Sequence, residues 1–292
     1  MSFTFDFRRT IDLKNEDIKE IIDIFNISFN RRISNDQLIR KYCKNKFGYS
    51  FHCLYRDDNK NLIGVYTFVP KIFLINSELK YVLQTVDTCF PYKGVAFAIK
   101  DSVLKLVDFA KSYINPLCFI YGFPNKSFQE LSEHIFEWEK IGPLITYIDC
   151  LPFLSFIFSY KKNFDHNKSD ISIQLDDMEL KSRLKSFLWN KVNIDNNQFI
   201  YFWVGCYLFP IQIFTFKTLK IRKILKIFFN NPFLFLRFLV PSITSTPSKK
   251  LLLPWHIKLD KFSFQLYIKV LNDQINKEDL HASSSLIWND VP

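Results

Sequence analysis

A strand that runs into a proline, a lysine and a glycine, and then directly into an apolar-periodic helix, constrains this chain more than any other segment. The run is Val86-Asp87-Thr88-Cys89-Phe90-Pro91-Tyr92-Lys93-Gly94-Val95-Ala96-Phe97-Ala98. The helix expected from it covers residues 96–111 and turns Ile99, Val103, Leu106, Val107 and Ala110 inward. A second apolar strand, residues 117–121, follows and ends at Gly122-Phe123-Pro124-Asn125. Strand, helix and strand in this order make a βαβ unit, which puts one parallel pair in the middle of a sheet. Lys93, Gly94 and the first N–H groups of the helix then meet at one point. Free backbone donors beside a helix N-terminus and a lysine suit a phosphate or pyrophosphate.

The flanking segments read as antiparallel strands and amphipathic helices. Residues 3–8 alternate like a strand. Asn15, Glu16 and Asp17 open a helix with Ile18, Ile21, Ile22, Phe25 and Phe29 at helical spacing. Ser34-Asn35-Asp36-Gln37 is a capping-box pattern, with Leu38, Ile39 and Tyr42 inward in the helix behind it. Residues 50–56 and 62–68 form a hairpin around Asp57-Asp58-Asn59-Lys60-Asn61, and Gly64 marks a bulge or a close backbone approach. A further strand pair brackets Asn76-Ser77 and leads into residues 81–90. After the βαβ unit come a helix at 127–135 and strands at 138–141 and 144–151. The expected fold is α+β: a mixed, mostly antiparallel sheet with helices on both faces.

At 292 residues the chain has room for two domains. The polar run 160–170 is the best linker, which gives domains at 1–160 and 171–292. The second reads as a smaller α+β domain, with a helix at 178–189, a strand at 199–209 and closing strands at 251–259 and 262–270. It is open to being a diverged copy of the first. The longest apolar run, 199–216, holds Pro210 and Gln212 and reads as two strands and a turn rather than a membrane span. No signal-peptide pattern opens the chain, so a cytoplasmic protein is expected. Cys43, Cys53, Cys89, Cys118, Cys150 and Cys206 show no Cys-x-x-Cys spacing, and they read as thiols in a reducing compartment rather than as metal ligands or disulfides. No metal site is expected.

The net charge of +10 is uneven. Residues 1–150 hold 20 basic and 18 acidic side chains, and the remainder holds 19 and 11. Between Lys217 and Arg237 six basic residues meet no acid, which reads either as a solvated helix face or as a site for phosphates or anionic lipid. Contact with a membrane is not favoured, and no nucleic-acid motif accompanies the charge.

Residues 15–150 resemble the acyl-CoA-binding half of the GNAT N-acyltransferases. Among these they look most like members from surface-polysaccharide gene clusters, which carry Val-Asp-Thr before the phosphate loop and Gly-Phe-Pro-Asn after the next strand. Here these are Val86-Asp87-Thr88 and Gly122-Phe123-Pro124-Asn125, and Glu137-Trp138-Glu139-Lys140-Ile141-Gly142 is similar to the return strand. The family signature, Arg/Gln-x-x-Gly-x-Gly/Ala, becomes Lys93-Gly94-Val95-Ala96-Phe97-Ala98. Lysine keeps the charge of arginine without its planar fork.

The resemblance implies an acyl-CoA cosubstrate bound by Cys89, Phe90, Lys93, Gly94, Val95, Ala96, Phe97 and Asn125. The implied acceptor is the amine of a nucleotide-linked amino sugar, carried by dTDP or UDP, for surface polysaccharide or O-antigen. Attack on a thioester needs N–H groups aimed at the carbonyl oxygen, and the backbone of Cys89 and Phe90 is the candidate donor. The amine must also lose a proton. Asp87, Glu133, His134 and Tyr121 are the candidates, with Asp87 and His134 foremost. A GNAT-fold binding module without turnover, and an enzyme acting on a peptide or protein amine, are the alternatives.

Overall fold

The computed structural model describes residues 3–75, 78–90, 96–134, 136–151, 154, 171–173, 189–194, 197–204, 207–213, 242–246, 254, 256–258 and 264–272. Its elements are β1 (Phe3–Arg9), α1 (Asn15–Phe29), α2 (Asn35–Cys43), β2 (Phe51–Asp57), β3 (Leu62–Ile75), β4 (Glu78–Cys89), α3 (Ala96–Lys111), β5 (Leu117–Gly122), α4 (Lys126–His134) and β6 (Glu139–Asp149). Beyond these lie β7 (Ile171–Ile173), β8 (Trp189–Ile194), β9 (Asn197–Val204), β10 (Tyr207–Ile213), β11 (Ser242–Thr246), β12 (His256–Lys258) and β13 (Phe264–Val270). The chain divides into two compact units. The first comprises Met1–Ile141, Ser172–Leu180 and Leu266–Lys277, and the second holds the rest.

In the first unit β1, β2, β3 and β4 pair antiparallel in sequence order, and β4 pairs β5 in parallel. The capping box of α2 is formed as its sequence suggests: Ser34 Oγ accepts the Gln37 N–H at 3.3 Å, and Gln37 Oε1 accepts the Ser34 N–H at 2.8 Å. Asp17 accepts the Lys14 N–H and also holds Arg56 at 2.6 Å, which ties the start of α1 to the end of β2.

Strand alternation sorts the core onto two faces. Phe51, Cys53, Tyr55, Tyr66, Phe68 and Leu83 pack under Ile99, Val103, Leu106 and Val107 of α3. Leu54, Val65, Val69 and Cys89 pack under Ile21, Ile24, Phe25, Leu38 and Tyr42 of α1 and α2. Helices therefore cover both faces of a mixed sheet. Near Gly64 both expectations are realised: β3 bulges between Leu62 and Gly64, and the Phe90 ring lies directly over the glycine, where a Cβ would collide with it.

Three expectations are corrected. Residues 62–68 do not end at a break; β3 continues through Pro70 to Ile75. The last β2–β3 pair is Phe51 with Phe68, so the missing N–H of Pro70 falls past β2 and costs no bond to it. The strands expected at 138–141 and 144–151 are one strand, β6. The strand expected at 262–270 as a closing piece of the second domain is β13, and it pairs antiparallel with β5 of the first unit, Tyr267 opposite Gly122.

In the second unit β8, β9 and β10 pair antiparallel in sequence order, β10 is parallel to β11, and β11 is antiparallel to β6. The β9–β10 hairpin occupies the apolar run expected to fold as two strands with a turn. The linker at 160–170, most of the 178–189 helix and the whole basic segment 217–237 lie outside the described residues.

Candidate functional site

The parallel pairing of β4 with β5 runs from Tyr81–Leu117 to Gln84–Tyr121 and stops there. From Thr85 onward β4 continues along β3, while β5 ends at Gly122. Beyond this point the edge of β4 that faced β5, its cleft edge, has no residue of β5 opposite it. The end of the ladder is tight, because a Cβ on Gly122 would lie 3.1 Å from Thr85 Cβ and 3.2 Å from the Trp138 ring. Beside it, Tyr66 Oη lies 3.4 Å from Thr85 Oγ1. The Oε1 atom of buried Gln84 has no hydrogen-bond partner among the described residues.

One step further along the cleft edge, β4 is bulged. Val65 pairs with Cys89 and Thr67 with Val86, so Asp87 and Thr88 together oppose Tyr66. Asp87 sits at φ 46°, a left-handed conformation that glycine adopts freely and that Asp and Asn tolerate better than most residues. The bulge breaks the alternation of the strand. Asp87 consequently turns to the face of α2, the same face as Val86 and Cys89.

Helix α2 holds that carboxylate by both oxygens. Lys41 Nζ lies 2.8 Å from Oδ1 and 2.7 Å from Oδ2, and Tyr42 Oη donates to Oδ2 at 2.7 Å. Behind Tyr42 the polar groups continue inward. The His52 ring packs edge-on against Tyr42 at 4.9 Å, Thr67 Oγ1 lies 3.0 Å from His52 Nδ1, and His52 Nε2 lies 2.8 Å from Thr10 Oγ1. Thr10 Oγ1 in turn accepts the Ser50 N–H at 3.0 Å and lies 3.3 Å from the Ser50 carbonyl oxygen. Both ring nitrogens of a neutral His52 therefore have a hydroxyl partner in either tautomer. Burial keeps it neutral, lowering its pKa to about 3. Burial, and then the neighbouring Asp87, raise the pKa of Tyr42 well above the ordinary phenol value.

The structure brings Asp87, Cys89 and Phe90 together at this bulge. The Cys89 thiol is buried, donates to the Asp87 carbonyl at 3.3 Å, and has its pKa raised by burial, so it is no thiolate nucleophile. The Phe90 ring packs edge-on against Tyr55 at 4.9 Å and closes over Gly64. Lys93, Gly94 and Val95 lie outside the described residues, whereas Ala96 and Phe97 begin α3.

Asn125 caps α4, its Oδ1 accepting the Phe128 N–H at 3.0 Å. His134 is exposed at the other end of that helix, roughly 13 Å away by helical rise. Glu133 is also exposed and accepts a hydrogen bond from Tyr267 Oη, whereas Tyr121 is buried. Among the described residues no group of His, Cys, Asp and Glu is placed to hold a metal ion, and no helix is long and apolar enough to cross a membrane.

Sequence reasoning does not find Lys41, Tyr42, Thr67 or His52. Tyr42 occupies an apolar position of an amphipathic helix and reads as core. Nothing local connects it to a carboxylate 45 residues away.

No protein-family model matches this sequence, and no curated protein matches it. Solved structures do resemble its fold. One is a conserved protein of unknown function from Enterococcus faecalis described as a probable N-acyltransferase. It is 13% identical, with a TM-score of 0.57, over 92% of this chain and 73% of that one. A GCN5-related N-acetyltransferase from Kribbella flavida is 9% identical, with a TM-score of 0.58, over 91% and 72%. Another from Anabaena variabilis is 11% identical, with a TM-score of 0.54, over 91% and 73%. At these identities the likeness is one of fold.

Proposed function

We propose that the chain is an acyl-CoA-dependent N-acyltransferase. The observation that carries this reading is the unpaired edge of β4. The β4–β5 ladder ends after Gln84 and Tyr121, β4 runs on with a bulge, and the chain then enters the N-terminus of α3. An extended pantetheine arm would lie along that edge as an additional strand, its amides meeting the free backbone groups. Lys93, Gly94 and Val95 with the first turn of α3 would take the pyrophosphate, and Asn125 would border the arm where it leaves β5. The fold neighbours described as N-acetyltransferases support the same cosubstrate.

In the reaction the amine attacks the thioester carbonyl, a tetrahedral oxyanion forms, and the CoA thiolate departs. The N–H groups of Cys89 and Phe90, beside the bulge, are assigned to the oxyanion. The attacking amine sheds a proton on the way. Asp87 is held by α2, and of the other candidates His134 and Glu133 are exposed at the end of α4 whereas Tyr121 is buried, so His134 is taken as the proton acceptor.

For the acceptor we propose a nucleotide-linked amino sugar. The support is the pair of motifs Val86-Asp87-Thr88 and Gly122-Phe123-Pro124-Asn125, together with the basic excess after residue 150, which suits a diphosphate. The second unit is read as a diverged copy of the first, contributing to acceptor binding. It has the same strand sequence: an antiparallel series, one parallel pair, then an antiparallel closing strand. In both units the closing strand comes from a distant part of the chain, β13 in the first and β6 in the second.

Thermal unfolding with acetyl-, butyryl- and hydroxybutyryl-CoA tests the donor. A ligand at 100 times its Kd stabilises the native state by about 2.7 kcal/mol. No shift with any of the three would remove the acyltransferase reading. A shift without turnover on any amino-sugar nucleotide or peptide amine would favour a binding module, the reading that the departures at Lys93 and Ala96 suggest.

A further inference from the structure

We propose that Asp87 is a positioning residue, and that Lys41 and Tyr42 of α2 act through it to set the bulge presenting the oxyanion donors. This rests on the acyltransferase reading for its consequence in catalysis, but its structural part stands alone. Three observations converge. Asp87 holds a left-handed backbone conformation in a strand, where an L residue other than glycine must be held by its surroundings. Its carboxylate has a cation on one side and a buried phenol on the other, both from one turn of α2, and its side chain is only 10% exposed. The phenol ring, in turn, packs edge-on against buried His52 of β2, whose nitrogens lie at hydrogen-bond distance from Thr67 of β3 and from Thr10.

Tyr42 Oη donates to Asp87, and the Tyr42 ring packs against His52, whose two nitrogens lie at hydrogen-bond distance from Thr67 and Thr10. The carboxylate is therefore tied through Tyr42 to the sheet as well as to α2. Because Asp87 immediately precedes Thr88 and Cys89, fixing its side chain fixes the peptide orientation of the cleft edge. A donor misplaced by about 1 Å costs on the order of 10²-fold in rate.

The experiment compares Asp87→Gly, Asp87→Asn, Asp87→Ala and Tyr42→Phe in the full chain. Glycine allows the left-handed backbone but offers α2 nothing to hold, and asparagine keeps an acceptor for Tyr42 while losing the proton acceptor. Positioning through the side chain predicts that Asp87→Asn keeps kcat within roughly tenfold of the wild type, whereas Asp87→Gly, Asp87→Ala and Tyr42→Phe lose on the order of 10²-fold with KM for acyl-CoA nearly unchanged. It also predicts faster amide hydrogen exchange over residues 85–90 in Tyr42→Phe, Asp87→Gly and Asp87→Ala, but not in Asp87→Asn. A kcat in Asp87→Asn as low as that of Asp87→Ala would overturn the proposal in favour of a chemical role for the carboxylate. Unchanged exchange in Tyr42→Phe would overturn it as well. If the wild type neither binds nor turns over acyl-CoA, the functional reading fails, and the exchange comparison still decides whether α2 holds the bulge.

Discussion

His52 is fully buried between Thr10 and Thr67, and its imidazole is neutral in the folded protein because burial lowers its pKa to about 3. In the unfolded chain it titrates near 6.5, so below that pH the unfolded state binds a proton that the folded state refuses. The contribution of His52 to stability is complete above pH 6.5 and declines as pH falls towards 3. The decline approaches 1.4 kcal/mol per pH unit, or about 2 kcal/mol between pH 6.5 and 5. Urea unfolding at pH 7.5 and 5.0 should show this loss in the wild type and not in His52→Asn, which is weaker at both. Equal losses in the two proteins would mean that other groups carry the pH dependence. None of this is legible in the sequence. A lone histidine in an alternating strand looks the same whether it faces solvent or, as here, lies buried between the hydroxyls of Thr10 and Thr67.

Elements were far more legible than their partners. The start of α1 at Asn15, the capping box of α2, the apolar face of α3 and the parallel pairing of β4 with β5 all follow from local periodicity, turn chemistry and element order. The pairing of β5 with β13 does not, since its two strands lie about 150 residues apart and either would be equally apolar against another neighbour. That pairing bears weight at Tyr267. Its ring is buried in the α3-side core, and its hydroxyl donates to Glu133 of α4, with burial and then Glu133 raising its pKa to about 12. Tyr267→Ala should cost roughly 3–5 kcal/mol, as loss of a buried aromatic does, whereas Tyr267→Phe should cost about 1 kcal/mol for the lost hydrogen bond. Denaturant unfolding of both variants measures the difference. If Tyr267→Ala cost no more than Tyr267→Phe, β13 would not be part of the first unit's core.

At the scale of the whole molecule the question is where a chain of net charge +10 carries out its chemistry. Six of its basic residues fall between Lys217 and Arg237 without an acid among them, outside the described residues. Each lysine or arginine near an anionic bilayer is worth about 1 kcal/mol, so six together would hold the protein on a membrane if the segment lay there with Ile221, Ile224, Leu225 and Phe228 in the lipid. The same charges would equally serve a diphosphate on a dissolved acceptor, with the apolar residues packed inside the second unit. The acceptor proposed above favours the second arrangement, because a nucleotide sugar is reached from water. Flotation with vesicles containing anionic lipid at physiological salt separates the two, with Lys220, Lys223 and Lys226 changed to glutamate as the control. The expected result is no flotation of the wild type, and weakened affinity of the triple variant for the nucleotide sugar while its response to acyl-CoA is retained. Strong flotation of the wild type, abolished in the triple variant, would place the protein on the membrane surface instead and move the search for the acceptor to amines carried by lipids.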